Sequence, residues 1–382
     1  MLLDTLGAGK LPLAIVSGEG ALLWDADGRT WWDFYGGHAV TLLGQGHPRW
    51  ADAIAQQART LSFVTTVVDT PVRDRAAARL CAFTGMDQVF FVNSGAEANE
   101  AALKLARKAT GRPVIIAMEE GFHGRSMGAV GVTHHYRTQH APAHGDVRFV
   151  PFGDLEALER ALDGSVAAVI CEPVQGMAGV VVPPRGWLAG VKAACERNGS
   201  LLIADEVQCG LGRMGVPLAS MLDGVRPDIV SVGKGLGNGF PVAACLMTDA
   251  VAATARPGEH GTTFGGGPLA AAAVEATLAI VEDEDLLARG NALGQEMAAV
   301  LGRIPGVLEV RGSGPWLGVV LDRPAKIVAA GLRDQGFLVG TSSDPYVLRL
   351  APPAVTPVFA VRLLGEALSD VLGGAMRAAG AA

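Results

Sequence analysis

The residues best suited to chemistry in this chain are one aspartate and one lysine, each of which follows an apolar run. Asp205 ends the sequence LLIAD, and Lys234 follows the sequence DIVSVG and begins KGLGNG. Continuous apolar runs are typical of strands buried on both faces of a parallel sheet. Open α/β sheets bind ligands outside the carboxyl ends of their strands, so we expect Asp205 and Lys234 to face one crevice. A lysine can hold the aldehyde of pyridoxal phosphate (PLP) as a Schiff base, and an aspartate can pair with its pyridinium nitrogen, so the pair predicts a PLP site.

Each of these features alone has a simpler interpretation. An aspartate after a strand is often a helix cap or a turn residue, and a lysine among glycines is often a solvated loop residue. The sequence GLGRMG at 210–215 also spells the GxGxxG pattern of dinucleotide sites. We reject that site because the first glycine comes five residues after Asp205 and Pro217 soon follows, so no helix opens directly from the strand.

Composition and charge narrow the class of protein. The chain has 382 residues, of which 49% are hydrophobic, and that length suits an α/β unit with a smaller second domain. Its net charge of −7 argues against a nucleic-acid or anionic-membrane surface. The five cysteines are scattered without a CxxC pair, the N-terminus lacks the basic segment of a signal peptide, and no run of about 18 apolar residues occurs. We therefore expect a cytoplasmic protein with no membrane span.

A candidate anion site lies where the apolar sequence QVFFVN runs into a helical pattern. Ser94 is a good N-cap, and Gly95 lets the backbone come close to a ligand. Free N–H groups and the helix dipole at such a helix start favour an anion such as a phosphate, although an ordinary capped helix would have the same sequence.

A second candidate site is the sequence GFHGRS at 121–126, which follows another buried run. Phe122 can lie flat on a cofactor ring, and Arg125 can bind a carboxylate with both arms of its guanidinium or form a surface ion pair instead. His38 and His47 suggest a metal, but no third ligand has suitable spacing, so we expect no metal site.

Strand and helix patterns alternate through most of the chain, which predicts a doubly wound, mostly parallel sheet. A β-hairpin is predicted at 21–34 and a helix at 249–255. The composition changes after about residue 283, where a separate α+β unit is predicted, with one of its strands at 337–340.

Taken together, the motifs resemble the class III (ornithine-type) aminotransferases of PLP fold type I. The resemblance covers nearly the whole chain and rests on FVNSGAEANEAALKLARK, GFHGRSMG, EPVQGMAGV, ADEVQCGLGRMG, PDIVSVGKGLGNGFP, HGTTFGGGPLA and LRLAPP. It implies an α/β fold with a mostly parallel, seven-stranded type of sheet in a large PLP-binding domain at 48–282. A smaller α+β domain would combine the N-terminal segment 1–47 with residues 283–382.

The resemblance also implies roles for individual residues. Lys234 would bond the PLP aldehyde and move protons, and Asp205 would pair with the ring nitrogen. The other cofactor-binding residues it implies are Ser94, Gly95, Ala96, Phe122, Val207, Gln208 and Thr263, with Gln208 at the phenolic oxygen and Thr263 reaching the phosphate of a second subunit. Arg125 and Arg349 would bind substrate carboxylates, with Thr262 nearby. The implied assembly is a homodimer with shared active sites.

Within this class, the stretch YGGHAV and the other motifs are most similar to the aminotransferases of acetylornithine and succinylornithine. The resemblance thus implies transfer of a terminal amino group from an acylated ornithine to 2-oxoglutarate, giving glutamate, in arginine metabolism. One departure matters: Met177 stands where many ornithine-type members have the Glu of EPVQGE, which is thought to mask the arginine of the C-terminal domain.

Other functions stay open at this point. On the same fold, the chain could act on carrier-bound aminoadipate semialdehyde, on 4-aminobutyrate and other ω-amines, or as an aminomutase of the glutamate semialdehyde type. A nucleotide-binding protein would use GLGRMG or the SGA helix start. A PLP-binding protein without catalysis is disfavoured by the presence of Lys234, Asp205, Arg125 and Arg349.

Overall fold

The computed structural model describes residues 10–137 and 145–379. Over these residues the strands are β1 (Ile15–Glu19), β2 (Leu22–Asp25), β3 (Thr30–Asp33), β4 (Gln88–Val92), β5 (Val114–Met118), β6 (Val147–Val150), β7 (Val166–Cys171), β8 (Leu201–Asp205), β9 (Ile229–Val232), β10 (Ala243–Met247), β11 (Val307–Ser313), β12 (Trp316–Leu321), β13 (Phe337–Leu338), β14 (Gly340–Thr341) and β15 (Val347–Leu350). The helices are α1 (Gly36–Ala39), α2 (Pro48–Thr60), α3 (Pro71–Thr84), α4 (Gly95–Thr110), α5 (Met127–Gly131), α6 (Leu155–Ala161), α7 (Trp187–Asn198), α8 (Asp249–Ala252), α9 (Pro268–Asp283), α10 (Leu286–Leu301), α11 (Ala325–Asp334) and α12 (Val358–Ala379). Two short 3-10 helices cover Ala219–Asp223 and Lys234–Gly237.

A seven-stranded sheet forms the centre of the molecule, with the order β4-β10-β9-β8-β7-β5-β6. The pairs β9/β8, β8/β7, β7/β5 and β5/β6 are parallel. The inner strands β5 and β7 are buried along their whole length, because helices cover both faces. Ala102 and Ala106 of α4 pack on one face, and Leu188 and Val191 of α7 pack on the other. This is the mostly parallel α/β sheet that the sequence predicts.

One strand departs from the predicted parallel arrangement. β10 runs antiparallel to both of its neighbours, β4 and β9. The connection from β9 to β10 is a short segment with one turn of 3-10 helix, whereas a parallel return needs a crossover of about a dozen or more residues. β10 can therefore only return antiparallel, and in doing so it enters the sheet between β9 and β4.

The two ends of the chain meet in the smaller sheets. β2 and β3 form the antiparallel hairpin that the sequence predicts, β1 pairs antiparallel with β2, and β13 pairs parallel with β3. A second four-stranded sheet has the order β11-β12-β15-β14. Its apolar face packs against α10, α11 and α12 through Met297, Val328 and Leu364. Strands from the N-terminal and the C-terminal parts of the chain thus pair in one sheet. The domain boundaries at 47/48 and 282/283 stay a prediction.

Several elements differ from the sequence prediction in extent. The single strand predicted at 337–340 is two short strands that pair in different sheets, and the helix predicted at 249–255 ends at Ala252. The strand β6 and the helix α6 were not predicted, since their short segments lack a clear period. Within the described part of the chain, no helix combines the length and the apolar character that a membrane span requires.

Candidate active site

Asp205 and Lys234 lie at the carboxyl ends of two adjacent parallel strands. Asp205 is the last residue of β8 and pairs in register with Ser231 of β9, and Lys234 follows β9 after Gly233. Both side chains line a cavity of about 460 Å³ at this edge of the sheet. The cavity therefore brings a carboxylate and an amine together where an open α/β sheet binds its ligand.

The carboxylate of Asp205 is buried and held by three hydrogen bonds. Its Oδ2 accepts from Asn99 Nδ2 at 2.8 Å and lies 2.7 Å from His123 Nδ1, and its Oδ1 accepts from the backbone N–H of Val207 at 3.0 Å. Asn99 also donates to the carbonyl oxygen of His123 at 2.8 Å. These bonds fix the orientation of the carboxylate and occupy three of its roughly four lone-pair positions, which leaves one for a ligand.

His123 owes its charge state to Asp205. Burial alone would lower the pKa of His123, but the hydrogen bond to Asp205 and the negative charges of Asp205 and Glu172 outweigh it and raise the pKa. The backbone N–H of His123 donates to Thr133 Oγ1 at 2.8 Å, which fixes the residue in the loop after β5. The imidazole thus supports a negative charge on Asp205.

Lys234 begins a 3-10 helix and adopts a left-handed backbone with φ of 42°. Burial lowers its pKa, the charges of Asp205 and Glu172 oppose the shift, and the positive charge of Arg349 adds to it. A lysine with a lowered pKa is more often a neutral amine, which is the form that reacts with aldehydes and accepts protons. The amine lies in the cavity. Backbone strain of this kind is common at functional sites.

Glu172 connects two loops of the cavity wall. Its Oε1 accepts from the backbone N–H of Phe122 at 3.0 Å, and its Oε2 accepts from that of Gly176 at 3.1 Å. Burial raises the pKa of this carboxyl group. The loop that follows β5 and the loop that follows β7 are thereby held in one arrangement.

The start of α4 forms another part of the wall. Ser94 caps the helix by accepting from the backbone N–H of Glu97 at 3.3 Å, and Gly95 and Ala96 line the cavity. A Cβ on Gly95 would lie 2.6 Å from Val207 Cγ1, so only glycine fits there. The first N–H groups of α4 are consequently next to the cavity, as an anion site requires.

Aromatic and amide side chains complete the wall around this centre. Phe122, Val207 and Gln208 line the cavity, and Gln208 Nε2 donates to the carbonyl oxygen of His38 at 3.2 Å. Arg125 also lines it and is exposed, with its guanidinium carbon 4.5 Å from the ring centre of Tyr136. Arg125 is therefore available at the solvent side of the cavity.

Arg349 lies next to the cavity wall and is not among the described residues that line the cavity. It belongs to β15, is buried, and donates from Nε to Thr341 O at 2.7 Å and from Nη1 to Gly176 O at 3.4 Å. Met177, the neighbour of Gly176, lines the cavity. The positive charge of Arg349 lowers the pKa of Lys234, which places the guanidinium within electrostatic reach of the amine.

Two predicted residues lie away from the cavity of their own chain. Thr262 Oγ1 accepts from Asn93 Nδ2 at 3.4 Å, and Thr263 is exposed on the loop before α9. Within the described residues, neither one lines the cavity. Their predicted roles need a second subunit or a bound substrate and stay predictions.

Sequence reasoning missed Asn99, His123 and Glu172. Asn99 lies four residues after Gly95 and so one helical turn along the same face of α4, which is a usable signal. His123 stands beside Phe122 in a motif whose aromatic ring and arginine carry the sequence prediction. Their shared function, to hold Asp205 and the adjacent loop, depends on contacts that no sequence pattern reveals.

The two histidines considered for a metal lie apart. His38 lines the cavity with a left-handed φ of 66°, and the Tyr35 hydroxyl is in hydrogen-bond contact with its ring. Burial, together with the positive charges of Arg349 and Lys234, lowers the pKa of His38 to about 4. His47 instead contacts Glu284 at 3.1 Å. The pair His38 and His47 therefore shares no common site.

Comparisons with known proteins identify this architecture. The family model for aminotransferase class-III matches residues 5–372. An acetylornithine aminotransferase of Mycobacterium tuberculosis is 45% identical over 356 residues, which are 91% of this chain and 88% of the relative. Among solved structures, ornithine aminotransferase from Toxoplasma gondii ME49 has a TM-score of 0.91 and 32% identity over 96% of this chain and 92% of its own.

A second structure of the Toxoplasma gondii enzyme, crystallised with oxidized glutathione, has a TM-score of 0.90 and 33% identity over 95% of this chain and 90% of its own. It is described as having partial occupancy of PLP at the active site of that protein. The match of the family model over nearly all of the chain agrees with these relatives and with the cavity at the strand ends. The chain belongs to the class-III aminotransferases.

Proposed function

We propose that this aminotransferase binds PLP through Lys234 and moves the terminal amino group of an N-acylated ornithine to 2-oxoglutarate. The observation that carries the proposal is the meeting of Lys234 and Asp205 at the ends of β9 and β8 in one cavity. The acetylornithine aminotransferases at 40–45% identity support the substrate class.

The residues present fit the cofactor. When bound, PLP supplies an aldehyde that exchanges amino groups and a ring that withdraws electrons from the substrate carbon. His123 Nε2 and Asn99 Oδ1 are buried without hydrogen-bond partners among the described residues. The polar network around Asp205 can therefore form further hydrogen bonds. The cavity is walled by an aromatic ring, a helix start and a carboxylate, which match the three chemical parts of the cofactor.

Lys234 is the residue that we assign to proton transfer. Its lowered pKa favours the neutral amine, and its position at the strand end places the amine inside the cavity beside Asp205. From there it can remove a proton from the substrate carbon that carries the transferred amine and return a proton on the other side of the exchange.

Asp205 is assigned to the pyridine nitrogen. The bonds from Asn99, His123 and Val207 hold its carboxylate in one orientation, so no reorganisation is needed when charge develops in the reaction. The first turn of α4, with Ser94, Gly95 and Ala96, is assigned to the phosphate. Phe122 is assigned to the face of the ring, and Gln208 is assigned to its phenolic oxygen.

Two arginines are assigned to substrate carboxylates. Arg125 is exposed at the cavity, whereas Arg349 is buried and donates to the carbonyl oxygen of Gly176, the residue before Met177. Glutamate has two carboxylates and can use both arginines, while an N-acylated ornithine has one. Met177 carries no charge that could neutralise Arg349, so that arginine stays available to the carboxylate of either substrate.

We further propose a cytoplasmic homodimer in which Thr263 of each chain reaches the phosphate of the other, with Thr262 close to the substrate. The exposure of Thr263 and of the adjacent Phe264, which has 65% of its surface accessible, supports a partner at this loop. No nucleic acid or membrane is part of this proposal.

The lysine assignment is tested by trapping. Purified chain loaded with PLP is reduced with borohydride, digested and analysed by mass spectrometry. We expect the added mass on the peptide that contains Lys234 and loss of transamination in Lys234→Ala. The exposed Lys326→Ala variant is the control and should keep both label and activity. A label on another lysine would contradict the proposal.

The substrate is tested by half-reaction kinetics on the PLP form. N-acetylornithine, N-succinylornithine, ornithine and 4-aminobutyrate are compared by kcat/KM. We expect the acylated ornithines to exceed ornithine and 4-aminobutyrate. A preference for 4-aminobutyrate would indicate a general ω-amine transaminase instead.

A further inference from the structure

Outside the cavity, one glutamate and two histidines meet on the surface. The ligand atoms of Glu120, His134 and His135 all lie within 4.8 Å of one another. Glu120 Oε1 lies 3.5 Å from His134 Nδ1, and Glu120 Oε2 contacts His135 Nε2. The two imidazole rings are themselves neighbours, with ring centres 4.9 Å apart. Each oxygen of one carboxylate thus faces a different imidazole.

This set of atoms has the chemistry and spacing of a metal site. Two histidine nitrogens and a carboxylate are a common ligand set for Zn²⁺, with metal–ligand distances of about 2.0–2.2 Å. A tetrahedral ion with such distances separates its ligand atoms by roughly 3.3–3.6 Å. The 3.5 Å between Glu120 Oε1 and His134 Nδ1 has this value. Glu120 Oε2 and His135 Nε2 are in direct contact, and they would have to move apart to admit an ion between them.

A second observation points to a missing ligand. His134 Nδ1 is buried, and it has no hydrogen-bond partner in the part of the chain that the structure describes. Buried polar atoms are nearly always bonded, so an unbonded one calls for an ion or a water. This nitrogen is directed at the Glu120 carboxylate, where an ion between them would satisfy both.

The backbone holds Glu120 in place for this contact. Its φ of 62° lies in the left-handed region, which is unfavourable for a residue with a side chain. The next residue, Gly121, donates its N–H to Met118 O at 3.1 Å and accepts from the N–H of His134 at 3.0 Å. The turn after β5 and the segment of His134 are therefore already joined, and Glu120 is fixed on the side facing the histidines.

We propose that Glu120, His134 and His135 bind a divalent transition-metal ion of the Zn²⁺ class. Three protein ligands leave one position for water, because the side chains are partly exposed. The ion joins the two ends of segment 121–133, which carries Phe122 and Arg125 of the cavity wall. The site is separate from the cofactor cavity and does not depend on which amine the enzyme uses.

The test measures metal binding directly. The full chain loaded with PLP is treated with EDTA, desalted, and titrated with Zn²⁺ in competition with a chromophoric chelator. We expect the wild type to bind one Zn²⁺. His134→Ala and His135→Ala should each lower the affinity for Zn²⁺ by about 100-fold or more, since even the loss of a residue that hydrogen-bonds a ligand costs 10–100-fold. Added Zn²⁺ should raise the midpoint temperature of thermal unfolding of the wild type and leave that of His135→Ala unchanged.

His47→Ala is the matched control, because it removes an imidazole that faces Glu284 on another surface. It should bind Zn²⁺ as the wild type does. Since any binding to cysteine thiols is the same in all four proteins, only the difference between them counts. Equal binding by wild type, His134→Ala and His135→Ala overturns the proposal, as does a wild type that binds no Zn²⁺.

Discussion

Replacing Met177 with glutamate would add a carboxylate one residue away from a backbone contact of Arg349, the buried arginine that we assign to substrate binding. Met177 lines the cavity and follows Gly176, whose carbonyl oxygen is 3.4 Å from Arg349 Nη1. Arg349 is 5% exposed, so a new negative charge next to it is little screened by water. We expect the Met177→Glu carboxylate to pair with Arg349 and to compete with the substrate carboxylate.

The size of this effect follows from the separation of an ordinary ion pair, about 4 Å, and from the burial of Arg349. Two unit charges about 4 Å apart at an effective dielectric constant near 20 interact by about 4 kcal/mol. Water in the cavity and side-chain freedom reduce the interaction, so we take about 2–4 kcal/mol as the range. At 1.36 kcal/mol for each tenfold change, kcat/KM should fall about 30- to 1,000-fold.

The assay compares Met177→Glu with Met177→Gln, which has nearly the same shape and no charge. kcat/KM is measured for glutamate and for N-acetylornithine in both variants. We expect Met177→Gln to stay close to the wild type and Met177→Glu to lose efficiency with both substrates. If the two variants behave alike, then either residue 177 does not face Arg349 or Arg349 does not bind the carboxylate, and the reasoning fails.

Two further predictions concern the carboxylate network. Asp205→Asn should lower kcat about a hundredfold or more while PLP still binds, because the charge is needed mainly in the transition state; turnover near the wild-type rate would contradict the assignment. The raised pKa of His123 means that its proton stabilises the fold fully below the ordinary imidazole pKa, and that this stability is lost as the pH rises through the folded-state value. In the cofactor-free protein, the urea midpoint of the wild type should therefore exceed that of His123→Gln by more at about pH 6 than at about pH 9; an equal difference at both would refute the coupling to Asp205.

Much of the fold could be predicted because local patterns there agree with the tertiary structure. The apolar runs that become β5, β7 and β8 are buried along nearly all their length, so their composition already indicates inner strands. Ser94 and the small residues that follow it specify the start of α4 through local hydrogen bonding. By contrast, the direction of β10 depends on the length of a loop, and β13 and β14 separate because their partners lie elsewhere in the chain.

The sequence by itself determined the position of the two main chemical groups. An apolar run specifies a strand, the residue at its end faces the edge of the sheet, and Asp205 and Lys234 occupy such ends. Only the tertiary structure decided what surrounds them. Asn99 and His123 reach Asp205 from 106 and 82 residues away, and Arg349 arrives from the far end of the chain. The reason is physical: strand and helix periods are set by neighbours along the chain, whereas burial, pKa and hydrogen bonding at the site depend on side chains that packing alone brings together.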